Sequence, residues 1–447
     1  MFSMPKAAEP LISALSIAFT RPTFQRARVL IFGAILSVRQ RTVTGMLRAA
    51  GALATGHWSD FHRVLALRVW SNWPLGRVLA RLILEWSAPD QPVVLVVDDT
   101  TPQHKGKHVY GNGRHHDAVR STHSHAVWVW GHKWVVLAIN VKFPFASRPW
   151  ALPVLCALYR PVELNRSEGR RHRTPIDLPL GLVATLIHWF PARTFILVGD
   201  GGYASHALAC FCQRHGAHVS LVSRFHGDAN LYAAPAPRRG QTGRPRKKGR
   251  KIPAPAQAIA KAPRRRFTVD WYGGRNRRVE LVWGEGHWYK GGEALVPVRW
   301  VFVHDLTGTH RDEYFYTTDT TLPPDRMVSL YTGRWSIEVT FQEVRQHLGF
   351  ATPRNWSAQS VLRTAPCLLG LFSLVSLIFH RLWLQHRIAP HRDPWYARKG
   401  VTFSDAIAAV RRMYWNEVLA KPCKHAGVTK LSRQLHFTLL DQLCRAA

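Results

Sequence analysis

A chain of 447 residues is too long for one minimal core and suits two or three domains. With 46% hydrophobic residues, 18 Trp and 20 Phe, it has ample apolar surface for a real core and is not a disordered polyelectrolyte. Lys and Arg total 61 against 27 Asp and Glu, a net charge of +34 that calls for a polyanionic partner. Nucleic acid leads, because many cations tracking a phosphate backbone release its counterions. A membrane surface is the minor alternative.

The cysteines, at 156, 210, 212, 367, 423 and 444, form no C-x2-C pair. Cys210-x-Cys212 is a weak metal signal, and idle thiols in a reducing cytosol fit the set better. The first residues lack a basic segment ahead of their apolar run, so they make a poor signal peptide and a cytoplasmic location is expected. The apolar stretch 366–379 has 14 residues before His380 and Arg381 cut it short. A spanning helix needs about 20 apolar residues. The stretch reads as a buried core helix, with no membrane partner.

In chain order, residues 1–90 read as helices. Within them, 26–51 holds two apolar-periodic runs joined by a polar, β-branched break, a pattern shared by helix-turn-helix units and plain helix pairs. The acids there are few (Glu9, Asp60, Glu85, Asp90), which favours DNA contact. From 92 the texture changes. PVVLVVDDTT is a buried strand by length and β-branching. HAVWVWG and HKWVVLAINVKF read as a hairpin around Gly131. A helical stretch leads to TFILVGDGGYAS, a second buried strand ending in an acid and a Gly-rich turn. ASHALACFCQRHG is a helix stopped by Gly216, and AHVSLVSRF is a further strand. Strands alternating with helices predict an α/β core. Residues 235–266 are Pro-, Gly- and basic-rich and read as exposed and mobile. FTVDWY, RRVELVWG, VPVRWVFVHD and DEYFYTTD then look like a β-rich insertion. Helical sequence resumes at Pro323 and runs to the end.

Three acid sites stand out by position. Asp98 and Asp99 end one predicted strand, Asp200 ends another, and Glu338 lies on a helix far downstream. Carboxylates so placed can converge on hard divalent cations; Mg²⁺ takes oxygen ligands and keeps waters, so two or three carboxylates suffice. Two such ions, about 3.5–4 Å apart, clamp the attacking and leaving oxygens of an in-line phosphoryl displacement. Any one strand-end Asp alone is better read as a turn residue; the basic chain and the repetition lift the set. On a helix of about 100° per residue, Tyr331, Arg334, Glu338 and Arg345 share one face. One carboxylate between arginines suits a metal ligand flanked by phosphate clamps. A break at Gly333 would detach Tyr331 and leave the other three together.

The spacing Tyr331-x2-Arg334-x3-Glu338-x6-Arg345 resembles the Y-R-E-K signature of bacterial insertion-sequence DDE transposases, with Arg345 where that family usually has Lys. VVDDTT and VGDGGYAS resemble the family's first and second Asp motifs, and the likeness runs from about residue 92 to 384. It implies an α/β ribonuclease H-like core with a β-rich insertion, plus helical N-terminal and C-terminal regions. The 138 residues from Asp200 to Glu338 are too many for a bare core of that kind, as in the family's insertion-bearing members. The division expected is a helical DNA-binding region (1–90), core (91–225), basic linker and β-rich insertion (226–320), core again (321–385) and a helical end (386–447). Neighbours on a strand face opposite ways, so only one of Asp98 and Asp99 should ligate metal; the reading leans to Asp98. The resemblance implies a cut-and-paste transposase that hydrolyses a phosphodiester at an element end and joins the freed 3′-hydroxyl to a second strand. Asp98 (or Asp99), Asp200 and Glu338 would hold Mg²⁺, with Mn²⁺ able to substitute. Arg334 and Arg345 would position phosphates, and Tyr331 would lie on the same DNA-facing stripe. Double-stranded DNA and a homodimer on it are the expected partners, and the nucleoid the expected place. The alternatives are a ribonuclease H-like nuclease or resolvase that cuts without joining, and a non-catalytic DNA-binding descendant, against which the intact acids argue.

His104, His108, His115, His116, His123, His125 and His132 crowd one stretch; without cysteines at zinc spacing they read, with Lys105, Lys107, Arg114 and Arg120, as lining a DNA-facing loop and strand edge. Residues 238–251 hold eight Lys/Arg in fourteen, among them Arg244, Arg246, Lys247 and Lys248. Gly243-Arg244-Pro245 resembles a minor-groove AT-hook, but a basic linker touching phosphates is the simpler reading. Trp271, Trp283, Trp288 and Trp300 are read mainly as filling a small β core, with base stacking as the other use.

Overall fold

The structure is a computed structural model of the chain. It describes all residues except 1–4, 39, 107, 118–119, 123, 237–245, 274, 390–399, 420–438, 441–442 and 446–447, and the side chains of 275 and 417–419. The chain opens with helices α1 (Glu9–Ser13), α2 (Arg21–Leu36), α3 (Val43–Ala50), α4 (Trp58–Ala66) and α5 (Asn72–Leu84). Strands β1 (Val93–Thr100), β2 (Gly113–His116), β3 (Trp128–Gly131), β4 (Lys133–Val141) and β5 (Trp150–Tyr159) follow, then α6 (Val162–Ser167) and α7 (Asp177–Trp189). Next come β6 (Phe195–Gly199), α8 (His206–Arg214) and β7 (Val219–Arg224). A β-rich stretch holds β8 (Leu231–Tyr232), β9 (Lys251–Ile252), the short α9 (Pro255–Ala258), β10 (Arg265–Trp271), β11 (Arg275–Tyr289), β12 (Leu295–Asp305) and β13 (Glu313–Thr317). The last helices are α10 (Pro324–Gly333), α11 (Ser336–Leu348), α12 (Ala358–His386) and α13 (Phe403–Leu419).

Among the described residues, one eleven-stranded sheet runs β5-β4-β1-β6-β7-β13-β12-β11-β8-β9, with β10 branching from β11. β1, β6 and β7 are mutually parallel; β4 runs antiparallel to both of its neighbours, β1 and β5, so β5 points the same way as β1. β1 is central and dry: Leu95, Val96 and Val97 are fully buried, as the unbroken β-branched run requires. β13 pairs with β7, so the β-rich stretch continues the central sheet and is not a separate lobe. Trp271 and Trp300 are buried in it, and Trp288 packs on Phe225 and Tyr316.

Residues 26–51 form a helix pair whose crossing is tight. A Cβ on Gly33 would lie 2.1 Å from the Met46 carbonyl, so only glycine admits α3 there. In the polar break between the helices Ser37 and Arg41 are buried. Arg41 donates to the carbonyls of Ala34 and His347, and its backbone N–H donates to Thr352 Oγ1 at 3.1 Å.

The structure differs from three sequence expectations. The runs around Gly131 are not a hairpin: β3 pairs with β2, while β4 pairs with β1 and β5. One intervening residue, His132, is too short for a two-residue hairpin loop. A Cβ on Gly131 would lie 2.2 Å from the Pro102 carbonyl, so the glycine admits a crossing backbone, not a reversal. Second, residues 150–159 are not helical but the edge strand β5. Pro153 and the Leu/Ala content disguised it, yet Pro is tolerated at a sheet edge beside a bulge, and the β4–β5 register shifts between Leu137 and Ala138, beside Pro153. Third, the helix carrying Tyr331 to Arg345 is two helices, α10 and α11. The apolar 366–379 run lies inside α12, a 29-residue helix long and apolar enough to cross a bilayer, whose apolar part is mostly buried within the protein.

Candidate active site

Two of the acids are placed by sheet register. β1 and β6 pair in parallel from Val93/Phe195 to Val97/Gly199, so the next residues, Asp98 and Asp200, emerge side by side at neighbouring strand ends. The turn after β6 fixes Asp200. One carboxylate oxygen accepts from the Gly202 N–H at 2.9 Å, and Ser223 of β7 donates to the Asp200 carbonyl at 2.9 Å. Gly199 is needed because a Cβ there would meet the Tyr203 Cβ at 2.8 Å.

Glu338 arrives by way of a kink. At the α10–α11 junction the Gly333 carbonyl accepts from Asn140 Nδ2 at 3.3 Å, while the Ile337 N–H, its usual helical donor, turns to the Arg334 carbonyl at 3.0 Å. A side chain inserted into the hydrogen-bond ladder kinks a helix. Ser336 Oγ donates to Asn140 Oδ1 at 2.9 Å, and Thr340 Oγ1 to the Ala151 carbonyl at 2.8 Å, pinning the first two turns of α11 to β4 and β5.

At the kink Arg334 joins the acids. Its guanidinium donates to Asp98 Oδ2 at 2.9 Å and to Glu338 Oε1 at 3.0 Å. The Arg334 side chain is 9% exposed, Asp98 14% and Glu338 45%, so the cluster is closed beneath and open on the Glu338 side. Burial pushes the Asp98 carboxyl up to about 7 against the pull of Arg334, and the like charges of Asp200 and Asp99 add to the rise. Burial alone would lower the pKa of Arg334; Asp98, Tyr331, Glu338 and Asp200 outweigh it and hold the guanidinium above its ordinary value. One guanidinium therefore bridges Asp98 of β1 and Glu338 of α11, with the charge of Asp200 at the end of β6 close enough to be felt.

Asp99 faces elsewhere. It pairs with Lys133 Nζ at 3.1 Å and accepts from the Tyr203 hydroxyl at 3.3 Å. Tyr203 is buried, which with the nearby acids holds its hydroxyl well above the usual phenol range. Lys133, Tyr203, Asn140 and Arg224 were not singled out in the sequence. Arg224 ends β7, packs against Gly201 and pairs with Glu313 at 3.0 Å. Lys133 follows the glycine read as a turn, and Tyr203 sits inside the quoted VGDGGYAS motif, where it passes for turn packing.

The remaining predicted residues are dispersed. Tyr331 is buried on α10, its ring 4.1 Å from Phe315 and 5.8 Å from the Arg334 guanidinium carbon, so it supports Arg334 from below and is not a surface contact. Arg345 donates to Thr100 Oγ1 at the end of β1. Glu343 faces away and pairs with His347 at 3.2 Å. Arg246 and Lys247 are exposed; Lys248 lies over the rings of Tyr232 and Tyr289 at 3.9 and 4.6 Å. Arg244 and the AT-hook-like core lie outside the described residues, as do Lys107 and His123. His115 and His132 do not line a DNA-facing edge: both are buried, bonded to the carbonyls of Gly131 (3.0 Å) and Tyr110 (2.9 Å).

Acids gathered at neighbouring parallel strand ends in a strongly basic α/β chain define a nuclease-type enzyme. The family model of the DDE superfamily endonucleases matches residues 14–278, more than half of the chain, and the protein belongs to that family. Asp98, Asp99 and Asp200 lie within the match and Glu338 beyond it. Such endonucleases generally use divalent metals. No curated protein sequence matches the chain. It is similar to a solved piggyBac transposase, in a synaptic complex with hairpin DNA, at 11% identity and a TM-score of 0.40, over 97% of this chain and 80% of that one.

Proposed function

We propose that this protein is a DNA transposase of the Y-R-E-K type, cutting the ends of a bacterial insertion element and joining them to target DNA. The observation that carries the proposal is the shared guanidinium: Arg334 binds Asp98 and Glu338 at once, beside Asp200, although the three acids are separated by more than a hundred residues each. The strand order β5-β4-β1-β6-β7, with β4 alone reversed against β5, β1, β6 and β7, supports a ribonuclease H-like core. The net charge of +34 supports double-stranded DNA as substrate.

The donor set fits hard divalent cations. It is all carboxylate, and Asp98, pushed up to about 7 by burial and like charges, marks a site short of positive charge. Asp98, Asp200 and Glu338 would hold Mg²⁺, or Mn²⁺ in its place. Bound there, such ions would activate the attacking oxygen and offset charge on the leaving one. Asp99, already held by Lys133 and Tyr203, serves to fix the end of β1. Arg334 has the planar fork that suits a phosphate oxygen, and Arg345, on α11 and bonded to Thr100 at the end of β1, would hold a second phosphate. Two element ends call for two such sites, hence a homodimer on DNA.

The test is a cleavage and joining assay on duplexes carrying the element's ends. Asp200→Ala is expected to abolish Mg²⁺-dependent cleavage while DNA affinity changes little, because the basic surface supplies binding. Wild-type cleavage by Asp200→Ala would overturn the assignment. Cleavage by the wild type without joined product would instead favour a nuclease or resolvase.

A further inference from the structure

A second cluster lies outside the acid site. His206 and Cys210 stand four residues apart on α8, so they share a face. Glu293, in the β11–β12 turn, reaches the same point. Cys210 Sγ is 3.3 Å from His206 Nδ1, Glu293 Oε2 is 4.0 Å from that nitrogen, and the three ligand atoms lie within 4.8 Å of one another. Metal bonds of about 2.0–2.3 Å in a tetrahedron place ligand atoms about 3.3–3.8 Å apart. The Cys210–His206 pair already has that spacing, and the Glu293 carboxylate at an exposed turn has to close in by at most about 1–1.5 Å. His206 is prepared for the part. Its Nε2 faces the Trp288 carbonyl at 3.2 Å, which places the proton there and leaves the Nδ1 lone pair aimed at Cys210 and Glu293. A backbone carbonyl fixing the outer nitrogen is the usual support of a ligating histidine. The His206 side chain is 2% exposed and that of Glu293 41%, so a fourth position opens to solvent beside Glu293.

We propose that His206, Cys210 and Glu293 form a zinc site that clamps α8 to the β11–β12 hairpin, with water as fourth ligand. Sulfur, imidazole and carboxylate donors suit zinc, whereas magnesium takes oxygen alone. The ion is thus distinct in kind from those proposed at Asp98, Asp200 and Glu338. Its role is structural. α8 begins six residues after Asp200, and the hairpin belongs to the β-rich stretch, so the clamp ties the segment carrying one acid to the outer part of the sheet. Gln213, donating to the Leu295 carbonyl at 3.0 Å, already joins the same two elements.

The test needs neither DNA nor activity. The full-length protein, loaded with zinc and dialysed, is expected to retain about one ion per chain by elemental analysis. Loaded with cobalt(II) instead, it should show a thiolate-to-cobalt absorption band in the near ultraviolet. Cys210→Ser and His206→Gln should lose the ion and the band, and Cys212→Ser should keep both. Because replacing buried residues can disturb folding, Glu293→Gln at the solvent-facing turn serves as the second variant. It should bind zinc roughly tenfold more weakly or worse with unchanged circular dichroism. A cobalt band that survives Cys210→Ser, or equal zinc affinity in wild type and Glu293→Gln, would overturn the site and leave a Cys–His–Glu hydrogen-bond cluster.

Discussion

Arg334 and Asp98, 236 residues apart in the chain, are joined by a 2.9 Å ion pair deep in the acid cluster. The same guanidinium holds Glu338, so it stands in for positive charge that the carboxylates would otherwise take from bound cations. Two outcomes follow for Arg334→Ala. Without divalent ions the variant should be less stable by about 1–3 kcal/mol, since Asp98 is left buried without its partner. With Mn²⁺ its melting temperature should rise more than that of the wild type, because the ion then meets uncompensated acids. Equal Mn²⁺-induced shifts in a thermal melt would show that Arg334 does not share the acids with a cation. Arg334→Lys should rescue only part of the stability, lacking the fork that reaches both carboxylates.

Asp98 and Asp99 are adjacent, yet their partners divide them. Asp98 is bound to Arg334, Asp99 to Lys133 and Tyr203. Asp98→Asn is expected to eliminate cleavage of element ends while leaving the fold in place. Asp99→Asn should keep a measurable rate and lose about 1 kcal/mol or more in urea unfolding, because Lys133 is only 20% exposed and would lose its counter-ion. The opposite order of activities would exchange the two roles.

Legibility in the sequence followed the range of the interactions. The strand-end acids were readable because an unbroken β-branched run ending in Asp is a local pattern, and the order of most elements was readable for the same reason. β5 was not, because Pro153 and Leu-rich composition imitate other structures and only its place at the sheet edge makes it a strand. Lys133, Asn140 and Arg224 carried no local signal at all. They reach the cluster through β4 and β7, by pairings that spacing along the chain does not encode. The kink after Gly333 is of the same kind: its cause, Asn140, lies 193 residues upstream. Likewise the segment carrying His206 and Cys210 was legible as a helix, but the two were not read as a pair, and Glu293 joins them only through the long β11–β12 hairpin.

Glu338 and Glu343 sit on one helix and serve different neighbours. Glu338 is bonded to Arg334 and stays 45% exposed, whereas Glu343 is 16% exposed and pairs with His347. Glu338→Gln, which removes charge and keeps shape, should abolish cleavage without lowering the melting temperature. Glu343→Gln should retain most activity and show its effect, about 1 kcal/mol or less, in stability. Loss of cleavage in Glu343→Gln with a normal melting temperature would reverse the assignment.

Stability should fall as the solution is acidified, and buried histidines are the cause. Burial pushes His132 and His380 down to about 4, with the charge of His104 adding to the shift at His132. His104 and His115 are lowered by burial as well. An unfolded histidine takes up its proton near pH 6.5. Between that value and about 4 the unfolded chain therefore binds protons that the folded chain refuses, and each such group removes up to about 1.4 kcal/mol per pH unit. Above about pH 7 the contribution is complete and flat. Asp98 opposes the trend, since a carboxyl raised to about 7 takes up its proton in the folded state first. The clean measurement is thus a difference. Urea unfolding of the wild type and of His132→Gln, whose amide can still donate to the Tyr110 carbonyl, cancels Asp98. The wild type should lose more stability than the variant between pH 7.5 and 5, by about one proton's worth of slope. Parallel pH profiles would mean that His132 is protonated in the folded protein, and the acid sensitivity would have to be sought elsewhere.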